Sequence, residues 1–203
     1  MDKRRRSPRR PFSTISLLGL AVALMATGTP APVEAGEGGV RSGPVWAVGI
    51  SLDEDALGVD RELTNINLGY RFVFEDPESW QGPLADWGLD LSFGVEPMVG
   101  IVLADDTDFE ASVLPLVHIQ PTGLRTWYPF LEGGIGVLYT SVDGFGLGSD
   151  FHFRDEVGVG MRYRAASGRA WSLSYRYRHI SHADIFGDEN DGLNTHFLVL
   201  AVE

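Results

Sequence analysis

The sequence contains no cysteine, so the chain can form neither a disulfide framework nor a thiolate metal site. Lysine is also missing after position 35, where residues 36–203 hold ten arginines and 26 acidic residues. Because phosphate contacts require cationic side chains, a chain this acidic is a poor nucleic-acid binder. Nucleic acid is therefore not an expected partner.

Long apolar runs are equally scarce, and the main one lies at the N-terminus. Met1–Arg10 is cationic, and Ile15–Ala26 is a twelve-residue apolar core that is too short to span a bilayer comfortably. Val33 and Ala35 are small residues at the positions that cleavage requires. We predict a secretory signal peptide over residues 1–35, cleaved after Ala35, and one domain over residues 36–203. An N-terminal membrane anchor is the alternative.

Helical periodicity is absent from every run of ten or more residues after Ala35, and two-residue alternation takes its place. Turn-like segments rich in Asp, Gly and Pro separate the alternating stretches, and Pro115 breaks the fourth of them. The pattern predicts eight strands: Val45–Leu52, Thr64–Phe74, Trp87–Glu96, Glu110–Gln120, Trp127–Thr140, Phe151–Arg164, Trp171–Ile180 and Thr195–Val202.

Eight alternating strands on an exported chain are compatible with two architectures. A soluble lipocalin-type barrel turns its apolar face inward around a ligand, whereas a membrane barrel turns it outward and fills its lumen with polar groups. Ten charged residues fall on the non-aromatic face, where arginines and acids could pair inside a small lumen: Arg71, Asp90, Glu96, Glu132, Arg154, Glu156, Arg162, Arg164, Arg176 and Arg178. Aromatic residues near strand ends suit interfacial girdles: Trp46, Trp80, Trp87, Trp127, Tyr128 and Trp171. We predict an all-β, eight-stranded antiparallel transmembrane β-barrel, with a soluble periplasmic lipocalin-like binder as the alternative.

The seventh strand ends in a pair of polar residues. Tyr175, Tyr177, His179 and Ser181 fall on one face, because side chains alternate along a strand. Residues i and i+2 have Cα atoms about 6.5 to 7 Å apart, so His179 could take the Ser181 hydroxyl proton as a general base. In a membrane barrel this hydroxyl faces acyl chains, which makes a lipid ester the obvious substrate. A polar pair at a membrane interface can also simply solvate the end of a strand.

The remaining histidines do not converge. His179 and His182 lie on opposite faces of a strand, and His118, His152 and His196 are scattered over three other strands. Structural metal sites need several converging ligands, so we expect no metal site. Ester hydrolysis at a serine needs no cofactor, and we expect none.

Three segments of the second half of the chain form a recognisable set: Tyr177–Ala183 (YRHISHA) followed by Asn190–Asn194 (NDGLN), a Pro-aromatic-x-Glu-Gly-Gly strand (Pro129–Gly136) and a Phe-x-Phe…Gly-x-Gly strand (Phe151–Gly160). Together they resemble the lipid A 3-O-deacylases, and the first segment looks like the active-site region of that family. The resemblance covers roughly Trp127 to Val202. It implies an eight-stranded outer-membrane barrel with a serine-esterase site on its lipid-facing side.

The resemblance also implies a reaction and its residues. The enzyme hydrolyses the ester-linked 3-hydroxyacyl chain at position 3 of lipid A, which makes lipid A, lipopolysaccharide and outer-membrane lipids its partners. Ser181 is the implied nucleophile and His179 the implied base. A non-catalytic structural or adhesive barrel of the same fold is the alternative, because the chain departs from the family pattern at two positions.

The two departures lie at Asn194 and His182. Asn194 stands where the best-known members have Glu, and an Asn can orient an imidazole but cannot stabilise imidazolium as a carboxylate does. Acidic residues nearby could substitute for it: Glu189, Asp191 or Asp184. His182 stands where the family commonly has Asn after the serine, and a histidine can also donate a hydrogen bond to an oxyanion.

Overall fold

The structure is a computed structural model that describes residues 40–51, 63–74, 83–104, 106–123, 126–143, 145–186 and 190–203. The signal peptide over residues 1–35 and the candidate Glu189 lie outside these ranges, so both stay predictions. Within the described ranges, no helix is long and apolar enough to cross a membrane.

Eight strands form a closed antiparallel barrel in sequential order, in which the last strand pairs with the first. This confirms the predicted fold. The strands are β1 (Val40–Ser51), β2 (Leu63–Phe74), β3 (Leu89–Leu103), β4 (Thr107–Pro121), β5 (Trp127–Thr140), β6 (Phe151–Arg164), β7 (Ala170–Ser181) and β8 (Leu193–Val202).

Two prolines explain where the strand boundaries differ from expectation. The alternation ends the third strand at Glu96 and breaks the fourth at Pro115, yet β3 continues to Leu103 and β4 is continuous. Pairing lapses on only one side of each proline: β2–β3 beside Pro97 and β4–β5 beside Pro115. The β3–β4 ladder runs unbroken past both. A barrel strand has two neighbours, so a missing N–H weakens one ladder without ending the strand.

Burial along the strands is the reverse of that in a soluble barrel. On β6, the side chains of Val157 and Val159 are 61% and 53% exposed, whereas those of Arg154 before them and Arg162 after them are buried. Large apolar residues are exposed on all the other strands from β2 to β8 in the same way. An apolar exterior around a charged lumen is the arrangement of a transmembrane barrel. The lipocalin-like alternative is therefore wrong.

Glu132 on β5 is the centre of an ion-pair network that fills the lumen. Its carboxylate accepts hydrogen bonds from Arg176 Nε at 2.6 Å and Nη2 at 2.9 Å, and from Ser174 Oγ at 2.5 Å. His118 Nε2 donates to it as well, at 2.9 Å. All of these side chains are buried. A buried carboxylate with this many donors has its charge and its lone pairs satisfied.

The other lumen charges are paired around this centre. Five arginines are fully buried: Arg71, Arg154, Arg162, Arg176 and Arg178. Glu96 contacts both Arg71 and Arg176, the latter at 2.8 Å. Towards one end of the barrel Arg178 pairs with Glu110 at 2.8 Å, and towards the other Arg162 pairs with Glu203 at 3.0 Å. The network therefore links strands from opposite sides of the lumen.

The predicted aromatic girdle is correct at one end of the barrel and wrong at two positions. Trp87, just before β3, and Trp127, at the start of β5, are 79% and 59% exposed at the same end of the barrel. Tyr128 instead turns into the lumen, because it directly follows an outward-facing residue. Trp46 lies in the middle of β1, opposite Leu68, and Trp80 lies outside the described residues.

An apolar cluster fills the lumen at the end where β7 stops. It joins residues of β2, β3, β5, the β5–β6 loop and β7: Leu63, Val102, Leu138, Val142, Leu147 and Ile180. Phe145 and Leu193 pack against it. The β5–β6 loop and the start of β8 are therefore anchored to the barrel by apolar contacts.

We expect Glu132→Gln to lower the free energy of unfolding by about 3 kcal/mol, because it leaves buried arginines without a full counter-charge. The measurement is urea unfolding in detergent micelles, followed by the electrophoretic shift between the folded and unfolded barrel. Leu131→Ala, at the neighbouring lipid-facing position, is the matched control and should change the midpoint much less. Equal losses in the two variants would show that the network does not stabilise the fold.

Candidate active site

His179 and Ser181 lie on the exterior face of β7, at the strand's end. Tyr175 and Tyr177, on the same face, are 46% and 36% exposed, and His179 and Ser181 are half-buried. Ser181 pairs across to Phe153 of β6, which is itself exposed. The structure therefore places the predicted pair on the lipid-facing side of the barrel wall and not in its lumen.

Asn194 is the hydrogen-bond partner of the His179 ring. The two residues face each other across β7 and β8, and His179 Nδ1 donates to Asn194 Oδ1 at 2.8 Å. An amide oxygen can only accept, so Nδ1 carries the proton and the lone pair lies on Nε2. This is the tautomer that a general base next to a serine requires.

The hydrogen bond expected between the predicted base and the predicted nucleophile is not formed in this structure. No hydrogen bond joins the His179 ring to Ser181 Oγ among the residues that the structure describes. In sites without substrate such contacts are often long and tighten when substrate binds. Their shared face and spacing allow the contact to form by rotation of the two side chains.

The acidic alternatives to Asn194 that lie in the described loop are turned elsewhere. Asp184 Oδ1 accepts a hydrogen bond from Asn190 Nδ2 at 3.0 Å. The Asp191 side chain lies against Gly146 of the β5–β6 loop, where its Oδ2 would be 2.3 Å from a Cβ added to that glycine. Of these residues, only Asn194 contacts the imidazole.

His182 is placed away from the exterior face. Its side chain is fully buried, and its ring lies 5.9 Å from the His152 ring and 5.9 Å from the Phe186 ring. A residue that follows an outward-facing one turns inward, and His182 directly follows Ser181. Its role as an oxyanion donor stays a prediction that this placement does not favour.

The chain turns sharply after Ser181. Ala183 and Asp184 both have positive φ angles, 52° and 58°, which non-glycine residues adopt only at a cost. Asn190 holds this turn: its Oδ1 accepts from the His182 backbone N–H at 2.9 Å, and its Nδ2 donates to Asp184. Sequence reasoning predicted no role for Asn190 beyond its place in the resemblance, and in the structure its side chain holds the loop together through these two hydrogen bonds.

Gly192 packs directly against the His179 ring. It has φ +74°, and a Cβ added there would lie 2.7 Å from His179 Cε1 and 3.3 Å from Nε2. The preceding Asp191 N–H donates to Gly146 O at 2.9 Å, which ties this segment to the β5–β6 loop. Leu147 of that loop is buried in the apolar cluster. The imidazole is thus positioned by its hydrogen bond to Asn194 on β8 and by contact with Gly192, whose segment is hydrogen-bonded to the β5–β6 loop.

Asp155 of β6 is a charged residue of this site that the sequence reasoning missed. It is the cross-strand partner of both His179 on β7 and Ile135 on β5. Ile135 is 69% exposed, so this row of residues is on the exterior face. Counting by two from Phe153 to Val157 also places Asp155 there, and this signal was available in the alternation.

The exterior surface near the pair is largely apolar. Among the described residues, no three His, Asp or Glu side chains are placed to hold a metal. An apolar groove of about 580 Å³ runs over the exterior of β2 to β6, lined by residues that include Leu68, Val99, Val113, Val137 and Phe151. Phe151 lies two residues from Phe153, the partner of Ser181.

The family model for lipid A 3-O-deacylase (PagL) matches residues 64–203. This chain belongs to the lipid A 3-O-deacylase family. The matched range spans His179, Ser181 and Asn194, together with the glutamate at the centre of the lumen network. Among curated protein sequences, none matches this chain.

Solved structures similar to this deacylase-family member are outer-membrane barrels. The crystal structure of the outer membrane enzyme PagL is 20% identical, covers 78% of this chain and 99% of its own, and superposes with a TM-score of 0.51. Neisserial surface protein A is 18% identical (80% and 93% covered, TM-score 0.44), and AlkL in lipid bilayers is 14% identical (87% and 93% covered, TM-score 0.42). At this identity, the likeness to PagL shows the shared fold.

We expect Gly192→Ala to lower deacylase turnover at least tenfold, because the new methyl group would displace the His179 ring. Gly168→Ala is the matched control: Gly168 has φ +87°, but a Cβ there meets nothing within 4 Å. Both variants carry the same kind of backbone strain. The turnover number of each, measured on lipid A in detergent micelles, separates the two effects, and equal losses would mean that Gly192 does not position the base.

Proposed function

We propose that the protein is an outer-membrane esterase that hydrolyses the ester-linked 3-hydroxyacyl chain at position 3 of lipid A, with Ser181 as nucleophile. The observation that carries this proposal is the hydrogen bond from His179 Nδ1 to Asn194 Oδ1 at 2.8 Å, on the same lipid-facing surface as Ser181. It leaves Nε2 free to accept the serine proton. Family membership supports the substrate class.

In the first half of the reaction, Ser181 Oγ attacks the ester carbonyl carbon while its proton passes to His179 Nε2. The carbonyl oxygen becomes an oxyanion. When the tetrahedral intermediate collapses, the bond to the sugar oxygen breaks, and His179 returns the proton to that oxygen. The lipid leaves with a free hydroxyl at position 3, and the acyl chain stays on Ser181 as an ester.

In the second half, water attacks the acyl-enzyme carbonyl and gives a proton to His179 Nε2. Collapse of this intermediate breaks the bond to Ser181 Oγ, which takes the proton back. The products are a free 3-hydroxy fatty acid and the restored serine. These steps use a nucleophile and a base alone, so the reaction requires no cofactor.

The location of the pair fits a substrate that never leaves the membrane. A leader over residues 1–35 would direct export and be removed, leaving the barrel of residues 36–203 in the outer membrane. Lipopolysaccharide is the proposed partner there. The exterior groove that reaches Phe151 offers an apolar surface for acyl chains beside the pair.

Mass spectrometry of lipid A from cells expressing the protein tests this function. We expect wild type to remove one 3-hydroxyacyl chain and Ser181→Ala to remove none, because the variant has no nucleophile. Ser149→Ala, in the nearby β5–β6 loop, is the control and should act as wild type. If wild type leaves lipid A unchanged despite folding in the outer membrane, the non-catalytic structural barrel becomes the better description.

Asn194→Asp should raise the turnover number about tenfold, because an isosteric carboxylate can both orient the imidazole and stabilise its positive charge. Asn194→Leu should lower it by a similar factor or more, since the ring then loses its orienting hydrogen bond. Initial rates on purified lipid A at saturating substrate check both. Equal rates in the wild type and in both variants would show that Asn194 has no part in the reaction.

A further inference from the structure

The reaction creates a charge that Asn194 cannot balance. When Ser181 gives its proton to His179 Nε2, the ring becomes a cation while Nδ1 still donates to Asn194 Oδ1. The amide orients the ring but is neutral. At the surface of a barrel that faces lipid, little water is present to stabilise a cation, so a fixed negative charge nearby has a large effect on the rate.

Asp155 is the residue of β6 directly opposite His179. β7 runs between β6 and β8, and His179 pairs with Asp155 on one side and with Asn194 on the other. Directly opposed residues of an antiparallel pair have Cβ atoms about 4.5 to 5.5 Å apart. In the sheet, His179 therefore lies between a residue with an amide side chain and a residue with an acidic one.

The cost of this position argues for a role. Asp155 shares the exterior face with Ile135, Phe153 and Val157, all of them exposed apolar side chains. An ionisable residue is costly on a lipid-facing surface, although less so near the end of a strand than at its middle, and such residues mark functional sites in membrane proteins. Asp155 takes part in no ion pair among the described residues, whereas its neighbours Arg154 and Glu156 pair with each other in the lumen.

We propose that Asp155 is the electrostatic partner of His179, supplying from β6 the negative charge that Asn194 does not supply from β8. This inference rests on the proposed function. Asp155 acts through His179 and not on the substrate: its carboxylate stabilises the imidazolium in both halves of the reaction, while Asn194 holds the tautomer. In a serine triad one acidic residue both orients the imidazole and stabilises its positive charge. Here Asn194 on β8 orients the ring and Asp155 on β6 stabilises the charge.

The other groups around His179 do not offer this charge. Its own strand contributes Tyr177 and Ser181, and β8 contributes Asn194 and His196, all of them uncharged or basic. The following loop contributes Asp191, whose side chain lies against Gly146. Among the described neighbours, Asp155 is thus the acid that directly opposes His179 across a ladder.

Four variants test the proposal by moving the charge from one strand to the other. Asp155→Asn should lower the turnover number on the order of tenfold to hundredfold, with KM unchanged, because the neutral base keeps its geometry and only the charged state loses support. Asp155→Asn combined with Asn194→Asp should recover most of that loss. Asn194→Asp alone completes the cycle, and Asp143→Asn, which removes an exposed loop carboxylate, is the control with the same change in net charge.

Two further readouts separate charge from structure. In Asp155→Asn the acid side of the pH–rate profile should move to lower pH, because the protonated ring is less favoured, and Asn194→Asp should move it back. The rate at which a fluorophosphonate probe labels Ser181 should follow the same order among the variants. Because labelling does not require lipid A, it reports on Asp155 even if the proposed substrate is wrong.

The proposal is overturned if Asp155→Asn matches Asp143→Asn in turnover, labelling and pH profile. It is also overturned if Asp155→Asn is impaired but Asn194→Asp restores nothing, since the loss would then not be one of charge. If the wild-type protein is labelled at Ser181 but leaves lipid A intact, the proposed function is contradicted. The role of Asp155 is then decided by the labelling rates of the variants.

Discussion

The pairing of charges inside the lumen is the constraint on which the rest of this structure depends. Five buried arginines need partners: Glu132 and Glu96 pair with Arg71 and Arg176, and Glu110, Glu156 and Glu203 pair with the other three. Once the charged face of each strand is turned inward, the aromatic and aliphatic face must be turned outward, because side chains alternate. The His179–Ser181 pair belongs to the outward face, so the same constraint that closes the barrel also sets the pair against lipid.

Much of the fold could be predicted because each strand carries its own evidence. Alternation along β6 or β7 shows two faces of opposite character without knowledge of any other strand. Proline was the misleading signal: Pro97 and Pro115 looked like breaks, yet each interrupts pairing with one neighbour while β3 and β4 stay paired with each other. Which of its two ladders a strand loses at a proline depends on how its neighbouring strands are placed. The sequence of one strand does not contain that information.

The site was predictable to the extent that it lies on one strand. His179 and Ser181 share β7 and follow from spacing alone, but Asn194 and Asp155 reach His179 only through the registers of β7 with β8 and β6. Resemblance drew attention to the first of these partners, and nothing comparable pointed to the second. Gly192 is a similar case, since its contact with the imidazole depends on a loop held by Gly146.

In the part of the barrel that the structure describes, the lumen is filled with ion pairs and closed by an apolar cluster, so its interior offers no aqueous route to Ser181. In the proposed reaction, this serine therefore meets its lipid by lateral diffusion within one leaflet. The concentration that governs its rate is then a mole fraction in a surface and not a molarity in solution. Membrane fluidity and the crowding of neighbouring lipids enter the kinetics of such a site as directly as the chemistry of its side chains.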